Sequence, residues 1–132
     1  MSAYLASIPY ARFLGLTAAE RDGVLTVTMP FSDHLIGNPF PPKLHGGATA
    51  AMLELTAMAQ VATAFPRATP PRPINVTISY LRPGRPVEVH ARASISRAGR
   101  RVAHVSIEAW QADPAQPIAT MTAHFQMADG DS

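Results

Sequence analysis

Glu54 is the only carboxylate in the long apolar stretch from Gly46 to Phe65. A lone acid there is costly to keep for structure alone, and partly desolvated carboxylates of this kind cluster at sites of general acid–base chemistry. The bland alternative is a structural carboxylate paired with an arginine across a subunit boundary. Directly before the stretch stands His45-Gly46-Gly47. A helix that begins here presents unpaired backbone N–H groups and a partial positive charge. Two glycines let a carbonyl approach without a Cβ in the way, and an oxyanion forming on that carbonyl would be held by the N–H of Gly46 or Gly47. His45 reads as a helix cap that shapes the Gly-Gly turn, ahead of a chemical role. Ten of the eleven basic residues are arginines, and eight of the eleven lie between Arg67 and Arg101. That segment has one aromatic, Tyr80, and so lacks the stacking platform that single-stranded nucleic acid needs. A small phosphorylated ligand suits it better, and nucleic acid is not an expected partner.

The elements that must position these groups follow from pattern. The 132 residues suit one domain, residues 1–132. Apolar residues make up 47% and charged residues 15%, so some surface is expected to be covered by another subunit. The absence of cysteine excludes disulfides and thiolate metal sites. No basic start followed by an apolar run marks a secretory leader, and a cytoplasmic location is expected. The stretch Gly46–Phe65 has the length of a membrane span, but Glu54, Gln60 and three threonines make it a buried helix instead, so no membrane is expected. Along it Ala48, Ala51, Met52, Leu55, Met58, Ala59 and Ala62 recur at helical spacing and form the expected buried face.

Residues 3–14 read as a short helix broken by Pro9, and Val24–Met29 as a strand after Gly23. The segment Pro30–Leu44 reads as a loop too proline-rich for regular structure. After a connector from Pro66 to Pro73, four period-2 runs begin near Ile74, Val87, Ala103 and Ala119, joined by short turns. They predict an antiparallel meander. One apolar helix and five or six antiparallel strands give an α+β fold in which the sheet curls around the helix.

The run His45-Gly-Gly-Ala-Thr-Ala-Ala-Met-Leu-Glu54 resembles the signature of hotdog-fold acyl-CoA thioesterases of the phenylacetate-pathway type. Tyr80-Leu81-Arg82-Pro83 and the segment from Arg97 to Ser106 are similar to that family's later strand ending and basic hairpin. The resemblance spans roughly Tyr10 to Met127. It implies hydrolysis of an acyl-CoA without cofactor or metal, with Glu54 as general base or nucleophile and the helix start at Gly46 and Gly47 as oxyanion hole. His45 and Asn38 complete the implied catalytic set. Relatives carry Asn or Gln six positions before the His; here that position is Pro39, and Asn38 stands in for it. Substrate contacts are expected from Phe40, Thr77, Arg82, Arg97, Arg100 and Arg101, the hairpin arginines meeting the CoA phosphates. With alanine and methionine on the helix, a medium-chain or aromatic acyl group is expected. The family pattern implies a homodimer with sites at the subunit interface, doubled to a dimer of dimers.

Two rivals remain at this level. His34-Leu-Ile-Gly-Asn-Pro39 resembles the histidine loop of hotdog dehydratases, and Thr56–Gln60 echoes their helix. The interval from His34 to Glu54 is, however, longer than in those enzymes. The other rival is a non-catalytic acyl-CoA-binding module. The five histidines are scattered without the spacing of a zinc site, and no G-x-S-x-G nucleophile motif occurs.

Overall fold

The computed structural model describes residues 2–39, 42–65, 71–99 and 101–127. The chain opens with two short helices, α1 (Ser2–Ala6) and α2 (Pro9–Leu14), then the hairpin β1 (Thr17–Arg21) and β2 (Val24–Met29). Pro9 starts α2 as its first residue instead of breaking a longer helix. Asp22 and Gly23 turn the hairpin with φ of 53° and 80°, the left-handed pair that a tight two-residue connection demands. β1 is absent from the sequence reading because Thr17-Ala-Ala-Glu-Arg21 has no apolar alternation. Its side chains are almost all exposed, and it is held by backbone pairing from Thr17↔Thr28 to Arg21↔Val24.

The segment expected to be an irregular loop holds a 3-10 turn (Asp33–Leu35) and a small hairpin, β3 (Ile36–Pro39) with β4 (Pro42–Leu44). The prolines do not forbid it, because Pro39 and Pro42 face each other at its closed end, where a missing N–H costs least. The hairpin leads into α3 (Gly46–Ala64), followed by β5 (Arg72–Tyr80), β6 (Val89–Ala98), β7 (Val102–Trp110) and β8 (Ala119–Gln126).

Six strands form one antiparallel sheet in the order β1-β2-β6-β7-β8-β5. The expected meander holds for β6-β7-β8, but β5 pairs with β8 instead of β6. The reason lies in residues 81–88. Leu81 and Arg82 donate their N–H groups to the Ile118 carbonyl at 2.8 and 3.1 Å, prolonging the β5–β8 ladder, and Pro83 and Pro86 then prevent a tight return. β5 is therefore a sheet edge. Ile74, Val76 and Tyr80 are 54%, 40% and 56% exposed, and only Ile78 packs on the core. An edge strand that leaves apolar side chains uncovered is a ready template for pairing.

The inner face of the sheet, with Ala91, Ala93, Val105, Ile107, Ala109, Met121, Ala123 and Phe125, wraps α3; Leu5, Ala11 and Leu14 close the core from the first helices. Gln60 is a clamp: its Oε1 accepts the Leu25 N–H at 2.8 Å, and its Nε2 donates to the Gly23 carbonyl at 2.9 Å. α3 is apolar all round, so periodicity misassigns its faces. Leu53, Ala57 and Val61 are fully buried, whereas Ala51, Met58 and Ala62, expected inside, lie half-buried on a stripe with Ala50 and Glu54. This stripe is the side of the helix that the sheet leaves uncovered.

Candidate active site at the start of the long helix

His45 caps α3 in extended geometry (φ −66°, ψ 127°), and its Nδ1 accepts the Gly47 N–H at 2.9 Å. The cap role expected for it is thus the one it fills. The next two amides, of Ala48 and Thr49, donate to the His45 carbonyl at 3.1 and 3.3 Å. Among the described residues the Gly46 N–H meets no acceptor. Of the two amides expected to face a carbonyl, Gly46 therefore keeps its donor free, and Gly47 has committed its own to the imidazole. A Cβ on Gly47 would come within 3.1 Å of that ring, so the second glycine makes room for the cap. The loop before the helix is tied down on both sides: His45 N–H donates to the Leu35 carbonyl at 2.6 Å and Leu44 N–H to the Gly84 carbonyl at 2.9 Å.

Tyr80, the last residue of β5, lies against this first turn. Its hydroxyl donates to the Gly46 carbonyl at 2.9 Å. Sequence reasoning counted it only as a strand residue; its contact crosses 34 positions, and no local pattern announces it. Beside it opens a cavity of about 330 Å³ lined by Leu44, Gly46, Thr49, Tyr80, Arg82 and Ile118, among others. Arg82 stands on this lining with its Nη1 donating to the Pro117 carbonyl at 2.6 Å.

Glu54 lies eight residues beyond Gly46 on α3, half-buried, and makes no hydrogen bond or ion pair among the described residues. Eight residues of helix rise about 12 Å. Its neighbours on the stripe, Ala50, Ala51 and Met58, are apolar.

The other expected site residues are dispersed. Asn38 sits in β3 opposite Lys43, its side chain undescribed. Phe40 and Arg100 lie outside the described residues. Thr77 is exposed on the edge strand opposite Thr122. Arg97 is on β6 opposite His104, and Arg101 is exposed just before β7. Gly46, Tyr80 and Arg82 gather at one end of the sheet, whereas Arg97 and Arg101 stand at the other, a strand length of roughly 27 Å away. One chain does not bring the backbone of Arg97 or Arg101 to its own Gly46. His34, the histidine of the dehydratase reading, is exposed on the 3-10 turn. Its Nδ1 is 2.7 Å from Ser32 Oγ, and its ring meets Phe13 edge-on. It makes no contact with Glu54 among the described residues. Gln60, the other residue of that reading, is occupied as the hairpin clamp.

A family model described as acyl-CoA thioesterase N-terminal domain matches residues 37–126, which include the helix cap, α3 and the strands β5 to β8. The chain belongs to the acyl-CoA thioesterase family. It is a thioester hydrolase, and its antiparallel sheet wrapped on one long helix is the hotdog fold. A solved structure from Chromobacterium violaceum is 34% identical, covering 97% of this chain and 89% of its own, with a TM-score of 0.78. A phenylacetic acid degradation-related protein of Ralstonia eutropha JMP134 is 27% identical, over 96% of this chain and 98% of its own, with a TM-score of 0.81. A protein from Shewanella oneidensis related to the thioesterase superfamily is 26% identical, over 91% and 87%, with a TM-score of 0.77. No curated protein matches the chain. No helix among the described residues is long and apolar enough to cross a membrane.

Proposed function

We propose that this thioesterase hydrolyses a medium-chain or aromatic acyl-CoA to the free acid and CoA, at a site made by two copies of the chain. The observation that carries this reading is the separation of its two reactive groups. In this reading the free Gly46 N–H holds the thioester oxygen, yet Glu54 of the same helix is about 12 Å further along. A glutamate side chain does not span that gap to a carbonyl seated at the helix start. Antiparallel pairing of β5 with its symmetry mate turns the second copy end for end. It also covers the apolar edge, and Glu54 of the second copy then serves Gly46 of the first.

As general base, Glu54 takes a proton from water while the resulting hydroxide adds to the carbonyl carbon. The oxyanion rests on the Gly46 N–H; collapse breaks the C–S bond, and the thiolate leaves with the proton that Glu54 held. As nucleophile, the same carboxylate would form an anhydride that water then opens. Both routes need the same placement. Purified protein is expected to release free thiol from acyl-CoA and to sediment at twice 14.1 kDa or a multiple of it. Hydration of an enoyl-CoA without thiol release would overturn the hydrolytic reading, and a species of 14.1 kDa alone would remove the composite site.

The same reversal carries the second copy's hairpin arginines to the Gly46 end of the first, where they meet the nucleotide of CoA. Reversing Arg100 and Arg101 to Glu should raise KM for acyl-CoA with much less change in kcat, since these contacts hold ground state and transition state alike. The effect should shrink with a pantetheine thioester that lacks the nucleotide, and weaken as salt rises. An unchanged KM would leave the arginines as a solvated strand end.

A further inference from the structure

The three threonines of α3 do not behave alike. Thr56 and Thr63 donate their hydroxyls back to the Met52 and Ala59 carbonyls, at 2.7 and 2.8 Å. Thr49 makes no hydrogen bond through its side chain among the described residues, although it is only 4% exposed. It lines the cavity beside Gly46, whose other walls include the apolar side chains of Leu44, Leu81 and Ile118. Its hydroxyl is open to the cavity, where Tyr80 and Arg82 on the same lining already donate to the Gly46 and Pro117 carbonyls, so water holds it when the cavity is empty. A plain hydrocarbon entering the cavity expels that water and leaves the hydroxyl unpaired, whereas a ligand with an oxygen at the right point does not.

The position of that point follows from the helix. Thr49 stands three residues, or about 4.5 Å, beyond Gly46. With the thioester oxygen on the Gly46 N–H, the second and third acyl carbons lie beside this next turn. The pantetheine arm is the poorer occupant, because it carries two amides, whereas Thr49 is the one hydroxyl of the lining that makes no hydrogen bond among the described residues. We propose that Thr49 selects acyl-CoA esters bearing a hydroxyl or ketone on the third acyl carbon, a reading that rests on the carbonyl seat at Gly46. The hydroxyl of Thr49 donates to a ketone, and donates to or accepts from an alcohol.

The test compares octanoyl-CoA with the two isomers of 3-hydroxyoctanoyl-CoA. Wild type is expected to favour one hydroxy ester by about tenfold or more in kcat/KM. Thr49→Val has nearly the same shape and breaks no bond seen in the fold. It should raise kcat/KM for octanoyl-CoA and lower it for the hydroxy ester, inverting the preference, while Thr49→Ser keeps it. An equal loss on both esters in Thr49→Val would mean that the hydroxyl reads the CoA arm they share, and would overturn the proposal. So would a wild type without preference. Calorimetric binding of the matched thioether analogues, which cannot be hydrolysed, reports the same preference without turnover. Selective binding without hydrolysis would sink the hydrolytic reading and support this one; hydrolysis without selectivity would sink this one alone.

Discussion

Glu54→Gln and Glu54→Ala are expected to lower kcat by at least ~100-fold, the scale of a lost general acid–base group, with the fold intact. The structure separates this outcome from mere destabilisation. Glu54 makes no hydrogen bond or ion pair among the described residues, so its removal orphans no partner. It sits half-buried on the uncovered stripe of α3, between Ala51 and Met58, where glutamine has nearly the same volume and no charge. Thiol release gives kcat, and a thermal melt followed by circular dichroism gives the fold. A Gln variant that hydrolyses at near wild-type rate would show that the carboxylate is not the reactive group. A melt that falls in step with kcat would make it structural.

Gly46→Pro should be as damaging, by at least ~100-fold in kcat, because it deletes the N–H proposed to hold the oxyanion. Proline is the least disruptive way to remove that N–H. It is favoured at the first position of a helix, and His45 already has the extended geometry that a residue before proline requires (φ −66°, ψ 127°). A Cβ at Gly46 meets the Tyr80 hydroxyl at 3.4 Å, an ordinary contact. The decisive experiment mixes Gly46→Pro with Glu54→Ala after joint unfolding and refolding, or by co-expression. If each site draws Gly46 from one copy and Glu54 from the other, the mixed dimer contains one intact site. Random pairing then restores about a quarter of wild-type activity from two inactive parents. Were both groups to act within one chain, the mixture would stay as inactive as its components.

How far the fold was legible depended on whether side chains or backbone hold each element. β6, β7 and β8 bury one face, and their alternation printed the pattern in the sequence. The start of α3 was legible from His45-Gly46-Gly47, and its end from Pro66. By contrast β1 is held by backbone pairing and buries too little to show a period, and β3 and β4, of four and three residues, are too short to show one. The place of β5 could not be read because it depends on where residues 81–88 run. The cap at His45 and the acid at Glu54 lie on one helix, and spacing sufficed to place both on it. Tyr80 and Thr49 gain their place from a cavity between α3 and β5, distant in sequence. The arginines show the converse. Arg82 and Arg101 are close in the chain, but the strands between them send them to opposite ends of the sheet.

Alanines recur in the core between α3 and the sheet: Ala48, Ala57 and Ala59 on the helix, and Ala91, Ala93, Ala103, Ala109, Ala119 and Ala123 on the strands, beside larger side chains such as Leu53, Ile107 and Phe125. Alanine has no rotamers to lose on burial and none with which to yield afterwards. Where α3 meets these alanines, the surface beneath it has no internal freedom with which to let the helix tilt. The direction of the Gly46 N–H is therefore set when the chain folds. If the Gly46 N–H holds the thioester oxygen as proposed, the work of aligning that dipole is complete before any thioester arrives, and none of it is left to the barrier of the reaction.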